Sequence, residues 1–245
     1  MSPSRGRLLV GTSGWIYKHW KGTFYPSALP TSVYLRYYAE RFPTVEINYS
    51  FYKLPTRENF ETWREDTPDD FLFAVKASRF LTHLKKLRDP EEPLRRLFDR
   101  VIGLGPKLGP ILFQLPPGWN KNLPRLAAFL DRLPQGHRYA FEFRDSSWLA
   151  DDVYAALTDH HAALVISDYG SLPLVQRITA DFTYVRLHGG HFGVGYTTDE
   201  LRTWAERLRR HLDDGIDAYV YFNNDPDGHA PRDASTLIDL FERQG

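Results

Sequence analysis

Eight short apolar runs, amphipathic segments between them, and the repetition of this beat over 245 residues predict an α/β fold of the TIM (β/α)8 barrel type. The runs are RLLVGTS (7–13), TVEINY (44–49), FLFAVKA (71–77), PILFQL (110–115), YAFEFR (139–144), ALVISD (163–168), TYVRLHG (183–189) and AYVYFN (218–223). They are rich in β-branched and aromatic residues and nearly continuous in apolar character, as strands covered on both faces of a parallel sheet are. An open doubly wound sheet is the alternative. It ranks second because the first turn, Gly11-Thr12-Ser13-Gly14-Trp15, lacks GxGxxG spacing.

The helices follow in order from their stripes. Leu35, Tyr38, Ala39 and Phe42 fall at i, i+3, i+4 and i+7, as do Leu94, Leu97, Phe98 and Val101. Leu201, Trp204, Ala205 and Leu208 repeat the spacing, and so do Ala234, Leu237, Ile238 and Phe241. Thr31 or Ser32, Thr56, Asp151 and Thr198 are the expected N-caps, their side-chain oxygens able to accept from the first free N–H groups. The segment YGSLPLVQRITA after the sixth run is weakly periodic, so an irregular, short or missing helix is expected there. No low-complexity linker or shift of composition divides the chain, and residues 1–245 are expected to form one barrel domain.

Composition excludes several classes. Lys+Arg and Asp+Glu both number 31, so the net charge does not indicate a nucleic-acid partner, although a local basic patch is compatible with it. The absence of cysteine removes disulfides, thiolate metal sites and a cysteine nucleophile. The opening MSPSRGRLLVG contains no apolar signal core, and no apolar run approaches the ~20 residues of a membrane span. A soluble, cytoplasmic protein with no membrane partner is expected; the oligomeric state is left open.

The polar residues gather at the C-terminal ends of the runs, where barrels of this kind carry their active sites. Glu46 and Asn48, Lys76 and Ser78, Glu142 and Arg144, and Arg186 and His188 are pairs two apart, so each pair shares one face of its strand. Thr12, Gln114, Asp168 and Asn223 end other runs. Three cations and three carboxylates would thereby converge and compensate one another in a mouth open to water. In the leading reading the protein is a metal-independent acid–base enzyme for a small polar or anionic substrate. Glu46, Glu142, Asp168 and His188 are its catalytic candidates, with Glu142 or Glu46 exchanging the proton and His188 or Asp168 as partner. Lys76, Arg144 and Arg186 would bind and polarise a phosphate or carboxylate, while Thr12, Asn48, Gln114 and Asn223 complete the binding set. Glu142→Gln is expected to abolish activity and leave the fold intact. No cofactor is required by this reading. In a second reading Glu46, Glu142, Asp168 and His188 ring a divalent Mg, Mn or Zn ion in a hydrolase or isomerase acting on a sugar or phosphodiester. A third is a ligand-binding protein without chemistry.

Outside the strand ends the signals are weaker. The aromatic run GWIYKHWKGTFYP reads first as a satellite core and second as a lid that stacks on a sugar or base. The glycine-rich run HGGHFGVGY (188–196), with NNDPDG, lies where barrels often bind phosphate. Lys85-Lys86-Leu87-Arg88 reads as a solvated face, and His160-His161 as structural.

GTSGW (11–15), FYP (24–26), VEINYSFYKLP (45–55), FAVKA (73–77), TH (82–83), LGPILFQLPP (108–117), FEFRDSSW (141–148), YVRLHG (184–189) and YFNND (221–225) together resemble the domain of unknown function 72 family, also called YecE-like. The resemblance spans nearly the whole chain in order and implies a TIM barrel; it implies no reaction. SDYGSLPLVQ and HFGVGYTTDEL look individual to this chain, so what they contribute to substrate choice does not carry over.

Overall fold

The structure is a computed structural model and describes residues 5–170, 172–189 and 195–242. Its eight strands are β1 (Leu8–Thr12), β2 (Thr44–Ile47), β3 (Leu72–Lys76), β4 (Leu108–Gln114), β5 (Tyr139–Glu142), β6 (Ala163–Ser167), β7 (Phe182–Leu187) and β8 (Asp217–Phe222). Each lies within the expected run or within two residues of it. They pair in parallel in the order β1-β8-β7-β6-β5-β4-β3-β2. A Ser13–Glu46 bridge and a bond from the Gly14 N–H to the Glu46 carbonyl (2.8 Å) then bring β1 against β2, giving a nearly closed barrel. This seam needs Gly11, because a Cβ there would sit 2.0 Å from the Thr44 carbonyl oxygen.

The helices are α1 (Tyr34–Ala39), α2 (Arg57–Glu65), α3 (Glu91–Val101), α4 (Leu123–Leu130), α5 (Asp151–Asp159), α6 (Thr198–Asp213) and α7 (His229–Glu242). Among the described residues none lies between β6 and β7, as the weak periodicity of that segment implies. Thr56 caps α2 in a reciprocal box with Asn59. The other expected caps shift. α6 is capped by Thr197, whose spacing to Glu200 completes a capping box that Thr198 cannot make. Ala150 precedes α5, leaving Asp151 in the first turn, where its charge complements the helix dipole. A 3-10 turn at Thr31–Val33 leads into α1 without a side-chain cap.

Two apolar layers result. The larger lies between strands and helices; the smaller, inside the barrel, contains Leu9, Ala74, Leu112, Ala140, Ala163, Phe182 and Tyr219. The aromatic loop after β1 joins the outer layer: Trp20 and Tyr25 are buried, Tyr25 stacks on Tyr34 at 3.8 Å, and the Trp20 indole donates to Asp225 (2.7 Å). That is satellite packing, with the indole N–H satisfied. His160 closes α5, one ring nitrogen 2.8 Å from the Ala156 carbonyl and the other 3.0 Å from Asp131. Among the described residues no helix is long and apolar enough to cross a membrane. Most of the glycine-rich run 188–196 lies outside the described residues.

Candidate functional site

Strand alternation delivers the charged pairs to the inside of the barrel's C-terminal end. Arg186, on β7, is at the centre and 1% exposed. Its Nε and Nη2 donate to the two oxygens of Glu46 from β2 (3.0 and 2.8 Å), and its Nη1 donates to Glu142 from β5 (2.8 Å). Tyr184, two residues before Arg186 on the same face, donates to Glu46 at 2.7 Å, and the Gln114 amide donates to Glu142 at 3.0 Å. One guanidinium thus ties two carboxylates from opposite sides of the barrel, a fork geometry that lysine could not supply. Burial pushes the Glu142 carboxyl up, but Arg186 and Arg144 more than reverse this and hold it at about 2. Glu46 is likewise lowered, burial being outweighed by Arg186 and Lys76.

Arg144 forms the next layer. Its Nη2 contacts Glu142 and lies 3.0 Å from Nε2 of His188, while the exposed Tyr169 ring covers its guanidinium at 3.6 Å. Arginine only donates, so Nε2 of His188 is the acceptor and the ring proton sits on Nδ1. Nδ1 faces Ser167 Oγ (3.4 Å) and Asp168 Oδ1 (3.5 Å). Asp168 also accepts from the His188 backbone N–H (2.7 Å) and from the Tyr196 hydroxyl. Burial and the Arg186 charge lower His188 despite Asp168, so the imidazole is neutral.

Lys76 closes the far side. It is 7% exposed, its ammonium lies 4.3 Å from the centre of the Phe51 ring, and that ammonium makes no hydrogen bond or ion pair with a described residue. Burial and Arg186 lower it, against the pull of Glu46 and Glu142, to about 8. Lys76, Arg144, Arg186, His188, Asn48, Gln114 and Asn223 line one cleft of about 400 Å³, together with Tyr52, His83, Pro117 and Tyr169.

Of the residues singled out in the sequence, Thr12 does not join them. It lies on the outer face of β1, where its hydroxyl donates to Gly14 O (2.6 Å) and lies 2.9 Å from the Tyr38 hydroxyl. Its neighbour Ser13, at the β1–β2 seam, has the buried hydroxyl without a partner among the described residues. Several participants were not singled out: Tyr184, Tyr196, Tyr169, Phe51 and His83. Tyr184 was accessible from the two-residue period, since it shares the face of Arg186. The others arrive from loops, where no period operates. His83 sits in a π-helical turn, Phe80–Leu84, and burial together with Lys76 lowers it to about 4.

Among the described residues no three His, Asp or Glu side chains are grouped to hold a metal ion. The reason is geometric: the Arg186 guanidinium occupies the position between Glu46 and Glu142, and Asp168 is turned toward Tyr196 and the His188 backbone. Among the described residues the four residues of the second reading are not grouped as a metal site.

Fold and site define a (β/α)8 barrel whose mouth holds a buried ion-pair network with free cationic donors on one side. The chain belongs to the DUF72 family of proteins of unknown function, which it matches over residues 9–245. It is 27% identical to the UPF0759 protein YunF of Bacillus subtilis over 96% of this chain and 95% of that one. To the UPF0759 protein YecE of Escherichia coli K12 it is 32% identical over 144 residues, 58% of this chain and 50% of the relative. A DUF72 crystal structure from Thermotoga maritima superposes with a TM-score of 0.85 at 29% identity, covering 96% of this chain and 99% of that one. A methyltransferase from Methanosarcina mazei, covering 100% of this chain and 95% of that one with a TM-score of 0.57 at 10% identity, shares the fold alone.

Proposed function

We propose that the mouth of the barrel takes a small molecule bearing a phosphate or carboxylate and carries out metal-independent acid–base chemistry on it. The observation that carries this reading is Arg144, whose Nε and Nη1 are buried with no hydrogen-bond partner among the described residues. Leaving such donors unmet costs on the order of 1–3 kcal/mol each. An anion in the cleft supplies a charge-assisted acceptor to one of them, since Nε–H and Nη1–H lie on different edges of the guanidinium. Asn48 and Asn223, whose amides make no hydrogen bond with a described residue, are free to orient the rest of the molecule.

Proton transfer falls to His188, which is neutral, is oriented by Asp168 and lines the cleft, its Nε2 becoming free to take a proton as the anion draws Arg144 from it. Glu142 and Glu46 were the first candidates for that step from their residue type. With their oxygens engaged by Arg186, Arg144, Gln114 and Tyr184, their role in this reading is to position Arg186 and Arg144. A chain without cysteine suits the reducing cytoplasm as the place of action.

Thermal unfolding with inorganic phosphate and with small carboxylates tests the anion site. The midpoint should rise with ligand concentration in the wild type and stay put in Arg144→Met. Equal shifts in both proteins would remove Arg144 from the site. Binding without turnover of any phosphorylated or carboxylated compound would leave a ligand-binding protein.

A further inference from the structure

We infer that Lys76 is a nucleophile that forms an imine with the carbonyl carbon of a small aldehyde or ketone carrying a carboxylate or phosphate. This rests on the anion-binding reading above and adds a covalent step to it.

The argument begins from what surrounds the amine. Glu46 on β2, Glu142 at the end of β5, Arg144 just after it, Arg186 on β7 and His83 in the turn after β3 are the charged and titratable groups that act on it. Both carboxylates are held by guanidinia, and neither makes an ion pair with Lys76. Two guanidinia repel the ammonium, and burial strips its water. The Phe51 face offsets only part of this. If Lys76 served only as an anion clamp, a carboxylate within reach to keep it charged would be the expected arrangement. Here the protein disfavours the charged form and leaves the amine facing an open cleft that two neutral imidazoles, His83 and His188, also line. Those are the conditions that activate a lysine for carbonyl chemistry.

The step balances within the site. The amine lone pair attacks the carbonyl carbon, the carbonyl π electrons move to oxygen, and an imidazole, His188 being the one backed by Asp168, carries one proton from the nitrogen to that oxygen. The carbinolamine hydroxyl then takes a second proton from the imidazolium and leaves as water as the nitrogen lone pair forms C=N, and the nitrogen returns its remaining proton to the imidazole. Amine plus carbonyl gives imine plus water, with no oxidant or reductant. Once protonated, the imine withdraws electrons from the adjacent C–H or C–C bond, which is the electron sink that a metal-free acid–base site otherwise lacks. Arg144, with its free donors, holds the anionic group while the carbonyl faces Lys76.

The test uses pyridoxal 5′-phosphate, which carries an aldehyde and a phosphate, at limiting concentration and pH 7.5 with borohydride reduction and peptide mapping of the intact chain. At that pH an amine titrating near 8 has on the order of a hundredfold more neutral form than an ordinary lysine. Lys76 should therefore label at least about tenfold faster than the average of the other lysines, and inorganic phosphate should slow Lys76 alone. If Lys76 labels no faster than the others while phosphate still raises the unfolding midpoint, the imine is overturned and the anion site stands. Fast labelling that phosphate does not slow would uphold the reactive amine and overturn the anion site. No selective labelling and no phosphate shift would overturn both.

Discussion

The barrel carries an arginine network at each end, and the two are built differently. At the N-terminal end Arg138 donates to Asp217 (2.6 Å), Tyr219 (3.0 Å) and Asp181 (3.1 Å), its guanidinium 5.1 Å from the Phe182 ring. One cation meets two carboxylates there. At the C-terminal end Arg186 is equally well met, but among the described residues Arg144 keeps two buried nitrogens without partners and Lys76 has no carboxylate of its own. Charge alone does not separate a site from a scaffold. Residual demand for partners does, because a network that only holds strands together has no reason to leave donors desolvated and unmet.

The sharpest way to break the comparison is to remove Arg186. Arg186→Met strands Glu46 and Glu142 without their shared cation, and should cost about 4 kcal/mol in urea unfolding at pH 7. A loss below about 1 kcal/mol would mean that the glutamates find other partners or take up protons cheaply.

Glu142→Gln comes next, at on the order of 3 kcal/mol at pH 7. The carboxyl is held at about 2 against an ordinary 4.5, so its stabilisation is complete above 4.5 and disappears as pH falls towards 2. The gap between wild type and variant should close over that window; a gap independent of pH would show that packing, not charge, makes the difference. The fold is therefore not expected to be indifferent to this substitution, as residue type alone suggested. Arg138→Gln should cost about 1 kcal/mol, since the arginine is partly exposed to solvent, and should leave the phosphate-induced midpoint shift as in the wild type. A lost shift would make the N-terminal network part of the site.

The smallest effect has the opposite sign. Lys76→Met should gain about 1 kcal/mol at pH 7, because it deletes a charge that burial disfavours. The wild-type lysine titrates near 8 when folded and near 10.5 when free, so the unfolded chain binds more protons between those values and wild-type stability rises across them. That rise should be missing from Lys76→Met in denaturant titrations from pH 7 to 10; its persistence would place the titration elsewhere.

The strands and the convergence of their charged ends were legible in residue order, because a parallel barrel needs continuous apolar runs and because alternation along a strand is strict. The pairs Glu142/Arg144 and Arg186/His188 were found that way, and the same parity rule, applied to β1, separates Thr12 from the interior. Partner choice was not legible. Whether Glu46 faces a metal, a proton or Arg186 depends on strands 140 residues apart meeting at 2.8–3.0 Å, a distance that no local period encodes. The loop residues Phe51, His83, Tyr169 and Tyr196 escaped for a related reason, since loop conformation follows from packing rather than from periodicity. The sequence by itself determined the barrel, its polar end and the balance of charge there, because hydrophobic burial and strand geometry act residue by residue. Only the tertiary structure decided which charges cancel and which stay unmet, because compensation is a property of distances among several strands, and those distances leave Arg144 and Lys76 facing the cleft.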